Sequence, residues 1–405
     1  MSKKTVCAAA TAMAFASIVH AQSSVTLYGV IDEGLEYVSN VKTASGAGKS
    51  LFQLDSVSGL QGSRWGLRGS EDLGNGLKAL FVLENGFDVN SGKLGQGGAL
   101  FGRQAFVGIG STQFGTVTLG RQYDSVVDYV GPLGAADQWA SHRAAHPGDL
   151  DNENNSVRTN NAVKFTGANY GGLTFGGVYS FGGQAGSVGR NQVFSLGAGY
   201  ANGPLVLGAA YLNARNPNTS FFGDNPNGAG PTTNNIAAST NPVFSGYASA
   251  RTYQVIAAGG AYTFGAATFG ANYSNTKFMN MGDTTASGPN PLGYSGTATF
   301  NNAEVNVKYQ ITPSFLAGFA YDYTNGSSVT SRLAGVDNSG SRYHQFALGV
   351  DYNLSKRTDV YVLAVYQKAS GVDSTGKAAV ASIASVTAAS GNHAVLARTG
   401  LRFKF

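Results

Sequence analysis

From Val25 to the C-terminus, apolar and polar positions alternate with period two, in segments broken by polar stretches. Asn302–Gln310 shows the pattern most cleanly. Ala303, Val305, Val307 and Tyr309 fall on one face, and Asn302, Glu304, Asn306, Lys308 and Gln310 on the other. Successive side chains of a strand point to opposite faces, so this strand has one apolar and one strongly polar side. The same division sets Phe315, Ala317, Phe319, Tyr321 and Tyr323 against Gly318 and Asp322, and Phe346, Leu348, Val350 and Tyr352 against Gln345 and Asp351. It recurs in Leu173, Phe175, Tyr179 and Phe181, with Thr174 and Ser180 between. About sixteen such segments follow one another, and an even number of alternating ~10-residue segments is the mark of a transmembrane β-barrel.

The connections alternate in length. Short ones carry turn residues, as in Gly74-Asn75-Gly76, Asn202-Gly203-Pro204, Thr312-Pro313-Ser314 and 354–358. Long ones are polar and rich in Gly, Asn and Ser: 39–60, 124–157, 216–250, 279–296 and 370–391. Short turns on one side and long loops on the other is the plan of an outer-membrane barrel. The sheet must also close on itself, because hydrocarbon offers no water to unpaired edge groups. The stretch from Asp124 to Val157 exceeds the ~12–15 structureless residues a compact domain tolerates without a use for them. It is expected to fold into the mouth of the barrel and set the width and charge of a water-filled pore. Aromatics near segment ends (Tyr28, Tyr37, Phe81, Phe87, Tyr200, Tyr211, Tyr273, Tyr366) fit interfacial girdles, or plain β-propensity.

Composition agrees with this reading. Only 12% of the 405 residues are charged, with 57 Gly, 20 Tyr and 23 Phe. A soluble domain carries about 25% charged residues, so much of this surface is not built for bulk water. Residues 1–21 have Lys3 and Lys4, an apolar run from Ala8 to Val19, and a small residue at Ala21. They read as a secretory signal peptide that is removed, leaving 22–405 as a single barrel domain. The one cysteine, Cys7, leaves with the signal, which excludes disulfides and thiolate metal sites. Losing Lys3 and Lys4 takes the bases from 27 to 25 against 22 acids, a net charge of +3 that argues for no nucleic-acid partner.

Several stretches carry the resemblance to a known family: Val25-Thr-Leu-Tyr-Gly29, Ser63-Arg-Trp-Gly-Leu-Arg-Gly-Ser-Glu-Asp-Leu-Gly-Asn-Gly-Leu-Lys-Ala-Leu80, Phe101-Gly-Arg-Gln-Ala-Phe-Val-Gly108, Phe114–Tyr123, Leu354–Thr358 and the terminal Phe405. Together they resemble the general-diffusion porins of Gram-negative outer membranes, most closely the β-proteobacterial type. The resemblance implies an all-β, 16-stranded antiparallel transmembrane barrel with an infolded third loop, a homotrimer in outer-membrane lipid, and passive passage of small hydrophilic solutes and ions. It implies no enzyme activity. It also implies that the C-terminal Leu401, Phe403 and Phe405 are read by the outer-membrane assembly machinery. Such porins line one side of their constriction with arginines, and the positions matching those motifs are Arg64, Arg103 and Arg158, with Arg68 on the strand face of Arg64. Loop acids are expected opposite them: Asp124, Asp128 and Asp137, with Glu84 from the wall. Arg121 shares parity with Val117 and Leu119, which sends it toward lipid unless it lies beyond the strand end. Basic lumen residues suggest a mild anion preference. A solute-specific porin and a non-conducting structural or adhesin barrel stand as alternatives.

Other motifs carry less. Gly46-Ala-Gly-Lys-Ser50 lacks the leading glycine of a phosphate loop, since Thr43 stands there. His142 and His146 have helical metal-ligand spacing, but Arg143 replaces the glutamate of the catalytic zinc motif, and both read as solvated loop histidines. Asp149-Leu-Asp-Asn-Glu-Asn-Asn155 has oxygen ligands enough for Ca²⁺, although a hydrated, charged loop is the ordinary reading of such a stretch, and no cofactor is expected. No Gly-x-Ser-x-Gly elbow stands between a strand and a helix.

Overall fold

A computed structural model describes residues 24–224, 233–236, 241–336 and 338–405. The signal segment, 1–21, lies outside the described residues. The first strand, Ser24–Lys42, pairs antiparallel with the last, His393–Lys404, from Val30↔Lys404 to Val38↔Leu396, and this seam closes the sheet. Closure leaves no edge in hydrocarbon, which is what allows a sheet to span a membrane at all.

Eighteen strand segments among the described residues make sixteen staves. Gly48–Asp55 and Arg64–Gly74 lie end to end along the same side of the first strand, so they are one stave interrupted at 56–63. Thr330–Ser331 pairs only with Ser295 and Tyr294, as a short ribbon within a loop. Every other neighbour in the wall is an antiparallel partner adjacent in sequence. The stretch 39–60, expected as one long loop, is mostly sheet. The first strand runs on to Lys42, turns, and is answered by Gly48–Asp55.

Parity sets what each face meets. On the strand Tyr294–Thr312, Val305 and Tyr309 are 54% and 51% exposed on the outside, while Asn302, Glu304 and Asn306 are buried within. Phe346, Leu348 and Val350 stand outside in the same way. This inverts the soluble-protein rule, because the outer solvent is lipid and the inner one is water. Arg402 obeys it by turning inward, where Nε meets Asp359 Oδ1 at 3.0 Å. Tyr28, counted above with the girdle aromatics, also turns inward. It shares the face of Val30 and Asp32, and its hydroxyl donates to Glu84 Oε2 at 3.0 Å, a polar partner that the lipid face does not offer.

Candidate functional site

Between the strands Gly115–Gln122 and Thr159–Gly167, the chain makes its third long excursion. It contacts inward-facing residues of several strands, among them Gly197, Glu304, Gly318 and Glu36. Asp124 opens a one-turn helix, Ser125–Tyr129, its Oδ1 accepting from Val126 N at 2.8 Å and Val127 N at 3.3 Å. The Tyr129 ring lies on Gly197 and Gly199 and its backbone carbonyl on Gly208, three strand glycines whose missing side chains make room for it. Ala135 N donates to Glu304 Oε1 at 2.9 Å. The Trp139 indole lies on Gly318 and Gly349, which are register partners on adjacent strands, and a Cβ on Gly318 would fall within the ring.

Arg143 makes the strongest attachment. It is 1% exposed, and its Nε and Nη2 grip both oxygens of Glu36 at 2.9 and 2.8 Å. Nη1 donates to the carbonyls of Ala384 and Ser385. A bidentate, charge-assisted pair of this kind fixes orientation as well as position. Glu36 also receives Arg398, which reaches Asp32 and Asp55.

Beside the excursion lies a cavity of about 800 Å³, lined by Arg64, Arg103, Arg121 and Arg158. Asp137, Asp224, His142, Tyr123 and Phe222 also face it. Arg103 Nε meets Glu84 Oε1 at 2.7 Å and its Nη2 donates to the Tyr123 hydroxyl at 3.2 Å. Arg64 Nε is 3.8 Å from the other Glu84 oxygen. Glu84 therefore aligns two guanidiniums at once. Arg158 donates from Nη1 to Ser156 O at 3.1 Å, and its Nε is buried without a partner. Burial and then the Arg103 charge pull the Arg158 guanidinium down, to about 9, so it is still a cation at neutral pH.

The residues named from the sequence divide into two groups. Arg64, Arg103, Arg158 and Asp137 line the cavity, with Glu84 bonded behind them. Arg68 does not: it lies four residues further along the strand, ~13 Å on, with its guanidinium over the Tyr28 ring at 5.2 Å. Asp124 does not line the cavity either, being fully buried as the helix cap and further held by Asn152 Nδ2 at 2.7 Å. Its burial pushes its carboxyl up to about 6. Asp128 is absorbed by Lys164. An acid beside the start of a helix satisfies backbone amides first, and composition alone cannot distinguish it from a pore acid. Asp137 keeps its place at the cavity with Asn154 Nδ2 donating to it at 3.0 Å, its carboxyl raised by burial.

Arg121 was missed by parity. The pairing with the next strand shifts between Gly120 and Gln122, and the Arg121 side chain turns to Gly102 O, at 2.7 Å, and Asp224. A bulge re-aims a side chain in this way, and the only hint in the sequence was Gly120, which takes a φ of +137° in the structure. The histidine reading is corrected too. His146 is 2% exposed and clasped by Asp151, while His142 Nε2 lies 3.1 Å from Ser385 Oγ. Nor is 149–155 a hydrated loop, since Asp149, Asp151, Asn152 and Glu153 are all buried, Asp151 against Ser274 and Asn302 of the wall. Leu401, Phe403 and Phe405 stand on the outer surface, and Phe405 exchanges backbone hydrogen bonds with Gly29 at 3.0 and 3.1 Å.

Comparison with known proteins places this fold. The chain is 33% identical over 398 residues to an outer membrane porin protein of Bordetella pertussis, covering 90% of this chain and 94% of the relative. It is 30% identical over 376 residues to outer membrane porin protein 32 of Delftia acidovorans, covering 89% and 88%. Among solved structures, the anion-selective porin from Comamonas acidovorans shares the fold with a TM-score of 0.68 at 24% identity, over 95% of this chain and 100% of that one. The family model described as Gram-negative porin matches residues 8–372. A closed barrel of sixteen antiparallel staves with an apolar outer face and a charged inner one is thus accounted for: the chain belongs to the Gram-negative porins, channel-forming proteins of the outer membrane.

Proposed function

We propose that the excursion 123–158 is the infolded third loop that narrows the pore, and that the cavity beside it is the filter, with a mild preference for anions. The observation that carries this reading is the convergence of Arg64, Arg103, Arg121 and Arg158 on one cavity. These four outnumber the three acids nearest them, Glu84, Asp137 and Asp224. Charge facing charge across a constriction orients water and favours polar solutes, while the imbalance sets the preferred ion sign. No bond is made or broken. Solutes pass by diffusion, sorted by width and charge. The arrangement is further proposed to work as a homotrimer, delivered to the membrane through recognition of the exposed C-terminal Leu401, Phe403 and Phe405.

The reversal potential across a KCl gradient in a planar bilayer tests this, for wild type and Arg103→Ala. A wild-type potential of anion-preferring sign, shifted toward cations in the variant, supports the filter. Conductance with no shift sends Arg103 back to a structural role, and a folded barrel that does not conduct overturns the channel reading.

A further inference from the structure

On its way back to the wall, the excursion brings three carboxylates and an imidazole into a compartment sealed from the cavity. His146, Asp151 and Glu153 are 2%, 0% and 2% exposed. Each offers one ligand atom, and these atoms lie within 4.8 Å of one another. Two more buried acids stand on the barrel wall: Asp322 Oδ1 is 3.6 Å and Glu304 Oε2 3.8 Å from His146 Nε2. Asp149 is buried nearby on the same limb. Among the described residues, the ion pairs of these acids run to His146 alone, with no lysine or arginine joining them. One imidazole stands among four carboxyl groups, with Asp149 as a fifth buried acid on the same limb.

A second observation points to a ligand. Glu153 Oε1 and Asp322 Oδ1 are buried with no hydrogen-bond partner. A desolvated carboxylate oxygen without a donor is strongly unfavourable, and a cation among these groups would satisfy it. Other groups already hold one ligand in place, as second-shell donors do at metal centres. Asp151 Oδ2 accepts from Ser274 Oγ at 2.5 Å and from Asn302 Nδ2 at 3.2 Å.

We propose that His146, Asp151 and Glu153 bind a divalent transition cation of the Zn²⁺ class, which bolts the returning limb of the excursion to the wall beside Glu304 and Asp322. The donor set decides the class of ion. Ca²⁺ and Mg²⁺ take oxygen ligands, whereas an imidazole nitrogen with carboxylates suits Zn²⁺ and its neighbours. Two carboxylates and a neutral imidazole carry the charge that balances a dication. Zinc bonds of ~2.0–2.2 Å put tetrahedral ligand atoms roughly 3.4 Å apart, so binding draws the three side chains inward and displaces the proton that His146 shares with Asp151. A wall acid is available as the fourth ligand.

The test uses the full-length protein in detergent, stripped with chelator and titrated with Zn²⁺ by calorimetry, with metal content measured after desalting. One Zn²⁺ per chain is expected, not displaced by a hundredfold excess of Ca²⁺, together with a higher temperature for the loss of folded-barrel gel mobility. His146→Gln and Glu153→Gln should each weaken binding at least tenfold while the barrel keeps its folded mobility. If one of them does not fold, the other carries the test. Stoichiometry well below one, Zn²⁺ binding unchanged in the folded variant, or displacement by Ca²⁺ overturns the proposal, and the first of these leaves protons as what neutralises the compartment.

Discussion

Glu36 on the first strand and Arg398 on the last stand opposite each other across the seam that closes the barrel, with Arg398 Nη1 donating to Glu36 Oε1 at 2.8 Å. Arg143 of the excursion grips the same carboxylate from the lumen side. One buried acid therefore joins the two ends of the wall and the element that crosses between them.

Removing that acid leaves two buried guanidiniums short of a partner. Breaking one side of a buried ion pair costs ~3–5 kcal/mol, so Glu36→Gln should lower the temperature at which the folded barrel loses its compact gel mobility. Arg143→Met replaces a buried cation by an apolar chain of similar length and should cost less. Its effect belongs to the excursion: single-channel recordings should show noisier, larger conductance from a barrel of normal mobility.

Trp139 rests on a floor of two glycines. Gly318→Val puts methyl groups where the indole lies, and overpacking of this kind costs ~1–3 kcal/mol. The excursion is expected to shift rather than the wall, changing single-channel conductance while the strand pairing Gly318↔Gly349 survives. Trp139→Ala acts from the other side, opening space and raising conductance.

The cavity arginines, as the proposed filter, should differ from Arg68. Arg158→Ala and Arg121→Ala should shift the reversal potential toward cations, as for Arg103, and Asp137→Asn should shift it toward anions. All three shifts should shrink between 0.1 and 1 M salt, where the screening length falls from ~10 to ~3 Å. Arg68→Ala, held over Tyr28 away from the cavity, should leave the potential near its wild-type value.

Asp124 makes stability depend on pH. Its carboxyl titrates near 6 in the folded protein against 3.8 when free, because burial disfavours its charge. The folded state then binds more protons than the unfolded one between these values, so stability rises as pH falls from about 6 to about 4, by up to ~3 kcal/mol. Unfolding temperatures measured from pH 7.5 to 4.5 should show this rise. Asp124→Asn, which still caps the helix, should remove part of it, because the buried Asp149 carboxyl, also pushed up to about 6, acts in the same window.

Parity made the wall legible. A barrel between lipid and water needs only that alternate residues differ, and Asn302–Gln310 states the rule in nine letters. Arg64 was marked as facing the lumen by its match to the porin motif rather than by parity. Parity failed where the backbone departs from period two, as at the bulge that turns Arg121, and where a side chain is chosen by a neighbour distant in sequence. Asp124 was misplaced because a helix cap and a pore acid have the same composition. His146 and Asp151 looked hydrated because a polar loop normally meets water, whereas here it meets the polar face of its own barrel at Ser274 and Asn302. Arg143 had no local signal. Its partner, Glu36, lies 107 residues away on a strand whose polar face was the only hint of a recipient.

The seat for Arg143 has a history as well as a shape. Glu36 is made early and Arg398 is made 362 residues later, so the two come together only when the chain's last strand finds its first. Until then the Glu36 carboxylate that Arg143 grips lacks its second guanidinium. The seating of the crossing segment and the sealing of the wall are thus coupled through one carboxylate.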